Sequence, residues 1–104
     1  MSLILAIEQS TADGSVCVAD EDELLAEARW RDTRRHNQHL FEALPDVLHR
    51  AGAAPGDIAL AAVGLGPGSF TGIRMAVSAA RAFALPGGVP VLGISSGEVL
   101  AREL

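Results

Sequence analysis

The stretch GLGPGSFTGIR, residues 64–74, sets four glycines and a proline between an apolar run and a helical-looking one. Glycine at that density lets backbone come close to a ligand's phosphates or to a neighbouring helix, because a Cβ would obstruct either approach. As a strand, turn and helix start it offers the backbone N–H groups of an anion site, with Gly66, Gly68, Ser69 and Thr71 as its contacts. It departs from each strict phosphate signature: there is no GK[ST], and Thr71 stands where a dinucleotide fingerprint has its third glycine. Pro67 and Thr71 flank Ser69 at two residues on either side, which excludes a nucleophile elbow. Close packing of the helix that follows is the use the residues favour.

A second candidate is IEQST, residues 7–11, at the end of the first strand. An actin-like lobe turns its backbone around nucleotide phosphates at this place, and an aspartate there orients magnesium-bound water. Glu8 keeps the charge on a longer arm and Gln9 is neutral, so the case for catalysis is weak. His36 and His39 stand one helical turn apart, with His49 farther on. No carboxylate or cysteine follows at a ligand spacing and there is no HExxH, so they read as solvated histidines and no metal is expected. Cys17 is the single cysteine, which excludes an internal disulfide and a multi-cysteine metal site; within SVCVA it reads as a small core residue. ARWRDTRRH gathers Arg29, Arg31, Arg34 and Arg35 beside Trp30, a spot that could meet RNA phosphate or an acidic partner. In a net-acidic chain it reads as a solvated strand edge.

The whole chain narrows these options. Its 104 residues make one domain, 49% hydrophobic and 20% charged, the composition of a soluble globular protein. Eight basic residues against thirteen acidic give a net charge of −5, which argues against gripping nucleic acid by charge alone. All eight are arginine, so Schiff-base and P-loop lysine chemistry is excluded. The start, MSLILAIEQS, lacks the basic region of a signal peptide, and no run is long enough to span a membrane; a cytoplasmic location is expected.

The elements that must position these residues follow from periodicity. LILAI, 3–7, reads as a strand covered on both faces. Asp13-Gly14 is the best hairpin dipeptide in the chain, leading into SVCVA. After DEDE, Ala26, Ala28 and Trp30 alternate with Glu27, Arg29 and Arg31 in a strand with one wet face. From about Asn37, Leu40, Leu44, Val47, Leu48 and Ala51 form a helical stripe ended by Gly52, with Pro45 expected to kink it or cost a hydrogen bond. IALAAVGL is a buried strand, Thr71 is the expected N-cap of a second helix to about Ala84, VPVLGI is a fifth strand, and SSGEVLAREL begins a third helix. In the second helix Arg74, Ser78 and Arg81 form one polar stripe, and Met75, Ala79 and Ala82 add a mostly small ridge. Such a helix is wedged between sheet and first helix, or meets another subunit, or does both. The order βββ-α-β-α-β-α predicts a five-stranded mixed sheet in an α/β fold with helices on its faces. One lobe of the ribonuclease H-like or actin-like (ASKHA) fold has this order.

Four stretches carry a resemblance: ILAIEQST, RHNQHLFEALPDVL, AVGLGPGSFTGIRMAVSAARAFA and VPVLGISSGEVLA. In order and spacing they resemble the N-terminal lobe of the bacterial TsaB (YeaZ) family, partners in the threonylcarbamoyl modification (t6A37) of transfer RNA. The resemblance covers nearly the whole chain, and GPGSFTG-[IL]-R is its specific motif. Family members usually read IDTST and HSExLLP where this chain has Glu8-Gln9 and Asn37-Gln38. The related TsaD enzyme carries metal-binding histidines after the fifth strand, where this chain has Ser95-Ser96-Gly97-Glu98-Val99-Leu100. The resemblance therefore implies a non-catalytic scaffold that pairs with a TsaD-like paralogue, or with itself as a homodimer, through its two helices. The implied interface residues are His39, Ala43, Arg74, Met75, Ser78, Ala79 and Ala82. It also implies a TsaE-like ATPase as a pathway partner, indirect contact with tRNA, and no cofactor in this lobe, with ATP or ADP and magnesium at the interface of the full complex. Residues 1–104 are expected to form a single N-terminal lobe, the second family lobe being absent. An older glycoprotease label predicts a zinc or serine site, and none is visible. The alternative is half of an actin-like ATPase or sugar kinase, with Glu8, Ser10, Thr11 and the glycine turn holding Mg-nucleotide.

Overall fold

The elements follow one another as β1 (Leu3–Glu8), β2 (Asp13–Ala19), β3 (Leu24–Arg31), α1 (His36–Arg50), β4 (Ile58–Gly64), α2 (Phe70–Ala84) and β5 (Val91–Ile94). The computed structural model describes residues 3–11, 13–31, 36–66 and 70–95. The strands form one sheet in the order β3-β2-β1-β4-β5. β1 pairs antiparallel with β2, and β2 with β3; β1 pairs parallel with β4, and β4 with β5. This is the mixed five-stranded sheet that the element order predicts.

Strand alternation sorts side chains onto two faces. Leu3, Leu5 and Ile7 of β1 are buried; Leu5 and Ile7 lie in rows with Val18 and Val16 of β2 and Ala61 and Val63 of β4. Leu40, Val47 and Leu48 of α1 and Ala76 and Ala80 of α2 close the same core. Each fully buried Leu or Ile there contributes about 1.5–3 kcal/mol. Both helices thus share one face of the sheet. The expectation that β1 is covered on both faces is corrected: Ile4 is 36% exposed, and no described element packs over the second face.

Asp13 and Gly14 are also corrected, from a hairpin turn to the first two residues of β2, paired with Arg31 and Trp30. Glycine is needed at 14 because the Trp30 indole lies across it, and a Cβ there would collide with the ring. The 20–23 turn is closed by the Asp20 carboxylate, which accepts from the N–H groups of Asp22 and Glu23 at 2.8 Å each. α1 runs through Pro45, so the Phe41 carbonyl loses its N–H partner one turn on. Gly52 ends the helix at φ +67: Ala53 N–H reaches Leu48 O at 2.9 Å and Gly52 N–H reaches His49 O at 3.0 Å, a Schellman cap. α2 begins at Phe70, which places Thr71 inside the first turn rather than at the N-cap. The helix expected from SSGEVLAREL falls mainly on residues 96–104, outside the described residues. Among the described residues no helix is long and apolar enough to cross a membrane.

Candidate functional site

An alanine-rich helix can turn any of several small ridges toward its sheet. In α2 the buried ridge is Gly72, Ala76, Ala80 and Ala84, four residues apart at each step. That choice leaves Thr71, Arg74, Met75, Ser78, Ala79 and Ala82 along the flank of the helix. With Phe41 of α1 they line an open groove of about 570 Å³. Phe41 is 64% exposed, a large apolar side chain held in water.

Five of the seven expected interface residues, Arg74, Met75, Ser78, Ala79 and Ala82, therefore come together in this groove. His39 instead stacks on Trp30 of β3, ring centroids 5.9 Å apart, and Ala43 packs against the core. Phe41 and Thr71 are groove residues that the interface set omits. Phe41 was legible: it sits about 100° round the helix from Leu40, off the core stripe, where a large apolar residue calls for a partner.

The end of β1 forms the second candidate. Glu8, Ser10 and Thr11 line a trough of about 490 Å³ on the second sheet face, together with Ser15, Cys17 and Gly64. The Glu8 carboxylate accepts the backbone N–H of Ser10 at 2.8 Å and also the Ser10 hydroxyl. It lies over Gly64, where a Cβ would strike it. A phosphate in this turn would have to compete with Glu8 for the Ser10 N–H. Of the glycine turn, Gly66 is buried at φ +97, and its carbonyl accepts from the Ser95 hydroxyl at 3.3 Å. Gly68 and Ser69 lie outside the described residues.

The remaining groups are distributed as follows. Cys17, expected as a small core residue, is half-buried on the second face. Burial, then the charge of Glu27, pushes its thiol pKa up, which disfavours the thiolate. Arg29 pairs with Glu27 at 2.8 Å within the edge strand β3, and Arg31 of β3 with Asp13 of β2 at 3.2 Å; Arg34 and Arg35 lie outside the described residues. His49 is exposed. Among the described residues there is no cluster of three His, Cys, Asp or Glu that could hold a metal.

A sheet in this order, with both helices on one face, defines a lobe of the ribonuclease H-like class. RuvC of T. thermophilus, in complex with a Holliday junction substrate, shares the fold at a TM-score of 0.58 and 17% identity, over 95% of this chain and 68% of that one. Residues 23–104 match the family model described as TsaD, tRNA N6-adenosine threonylcarbamoyltransferase, and the chain belongs to that family. Its similarity there runs to TsaB. It is 33% identical over 99 residues to the tRNA threonylcarbamoyladenosine biosynthesis protein TsaB of Escherichia coli K12, covering 95% of this chain and 42% of that protein. The Bacillus subtilis protein of the same name is 33% identical over 100 residues, 96% of this chain and 44% of that one. The solved structure of YeaZ from Pseudomonas aeruginosa superposes with a TM-score of 0.89 at 35% identity, over 99% of this chain and 48% of that one. The chain spans less than half the length of each of these three relatives.

Proposed function

We propose that this chain is a non-catalytic interaction lobe in the cytoplasmic formation of threonylcarbamoyladenosine on tRNA. It binds a TsaD-like paralogue, or a second copy of itself, through the groove between α1 and α2. The observation that carries this reading is the convergence of Phe41, Met75, Ala79 and Ala82 on one open apolar groove, with Thr71, Arg74 and Ser78 beside them. Burying most of an exposed Phe contributes about 1–2 kcal/mol, and small residues on the facing helix let a partner helix approach closely. The names of the curated relatives, which are biosynthesis proteins for threonylcarbamoyladenosine, give the process. A TsaE-like ATPase and the tRNA belong to the larger assembly, and nucleotide and magnesium to its interfaces. The lobe itself takes no nucleotide in this reading, since the Ser10 N–H is already committed to Glu8.

Light scattering tests the proposal on the chain alone and mixed with a TsaD-like protein. The expected result is a dimer that exchanges for a mixed complex. Ala79→Arg sets a bulky charge in the groove and is expected to abolish both associations while the circular dichroism spectrum stays unchanged. Association of that variant at wild-type strength overturns the reading.

A further inference from the structure

Gln9 follows the last residue of β1 and is fully buried. Its amide Nε2 donates at 3.3 Å to the carbonyl of Gly72 in the first turn of α2, across 63 residues of sequence. Its Oε1 is buried as well and, among the described residues, has no hydrogen-bond partner. As core filling this is a poor residue, because an apolar side chain of the same size leaves no orphaned acceptor. What glutamine supplies and leucine cannot is the directional bond to Gly72.

α2 has reason to need one. The ridge it lays on the sheet is Gly72, Ala76, Ala80 and Ala84; Val77 and Phe83 pack beside it against the core, whereas in the first turn the buried residue is Gly72, which has no side chain to interlock with the strands, so packing sets the placement of that turn weakly. Side chains reach about 5–6 Å from a helix axis, so a rotation of about 20° carries a flank residue about 2 Å. Arg74, Met75 and Ser78 stand on that flank, beginning two residues beyond the bond.

We infer that Gln9 is a positioning residue for the groove: its bond to Gly72 fixes the rotation of the first turns of α2 and so the presentation of Arg74, Met75 and Ser78 to a docking surface. The inference rests on the groove's being a contact surface, and its test separates the two.

The test compares wild type, Gln9→Leu and Ala79→Arg in the full chain by thermal melting and sedimentation equilibrium. Gln9→Leu is expected to melt at the wild-type temperature or above, having lost an orphaned acceptor. Its self-association is expected to weaken roughly three- to tenfold, the equivalent of one net hydrogen bond. A residue that only supports the fold would lower the melting temperature instead. If Gln9→Leu does not fold, Gln9→Met, unbranched and of equal length, is measured in its place. Wild-type association in the Gln9 variant, with none in Ala79→Arg, overturns the inference and leaves the groove standing. Equal association of wild type and Ala79→Arg, or a wild type that stays monomeric both alone and mixed with a TsaD-like protein, overturns the groove and the inference with it.

Discussion

At the scale of single residues, two positions carry tests that need no partner. Gly14 exists for Trp30, whose ring covers it. Gly14→Ala is expected to cost about 1–3 kcal/mol through forced displacement of the ring, with a red shift in emission from the only tryptophan of the chain; urea unfolding followed by fluorescence measures both. Asp20 is held below the ordinary carboxylate range by the N–H groups of Asp22 and Glu23. A depressed folded-state pKa means that its contribution is present above the unfolded value of about 3.9 and is lost as pH falls through the folded one. Asp20→Ala is therefore expected to lose less stability than wild type on acidification from about pH 5 to pH 3, compared by urea midpoints. Asp13-Gly14 shows why the sequence misleads at this scale. The dipeptide favours turns by its own dihedrals, while the reason for glycine is an indole on the neighbouring strand, reached only through a register that one-dimensional sequence does not print.

Among the elements, α1 is the one that continues despite a local rule. Pro45 lies past its midpoint and is exposed, so it supplies little packing in return for the hydrogen bond it removes. Pro45→Ala is expected to stabilise the fold by about 1–2 kcal/mol, the helix-interior penalty less the entropy that proline takes from the unfolded chain. In a domain of this size that raises Tm by roughly 4–15 °C, read by thermal melting; an unchanged or lower Tm would show that proline is accommodated without loss. The strands and both described helices were legible because each has a clean period of 2 or 3.6. The orientation of α2 was not. When Ala76, Ala79, Ala80, Ala82 and Ala84 are chemically alike, composition cannot say which ridge meets the sheet, and the Gly72–Ala84 ridge is settled by packing. The groove was legible to the extent that Arg74, Ser78 and Met75 are distinguishable from their neighbours. Its far wall, Phe41, required knowing that α1 and α2 share one face.

At the scale of the whole molecule, that one-sided arrangement of the described residues leaves two surfaces of different kind. The helix side offers the groove; the sheet side shows Ile4 and Leu92, 36% and 50% exposed, around small residues such as Ala6 and Ala62. Leu92→Glu is expected to change stability by less than about 1 kcal/mol and to leave self-association at wild-type strength. If light scattering finds the reverse pattern, with Leu92→Glu monomeric and Ala79→Arg dimeric, the contact surface is the sheet. The position of β1 at the centre of the sheet also has a consequence in time. β1 is synthesised before its parallel neighbour β4, which lies about fifty residues later in the chain. At roughly 5–20 residues per second, the most apolar strand waits on the order of 3–10 s after emerging before its open edge can be paired. The β1–β2–β3 meander must hold itself together on the ribosome during that interval, and the cell's protection of the nascent chain matters most there.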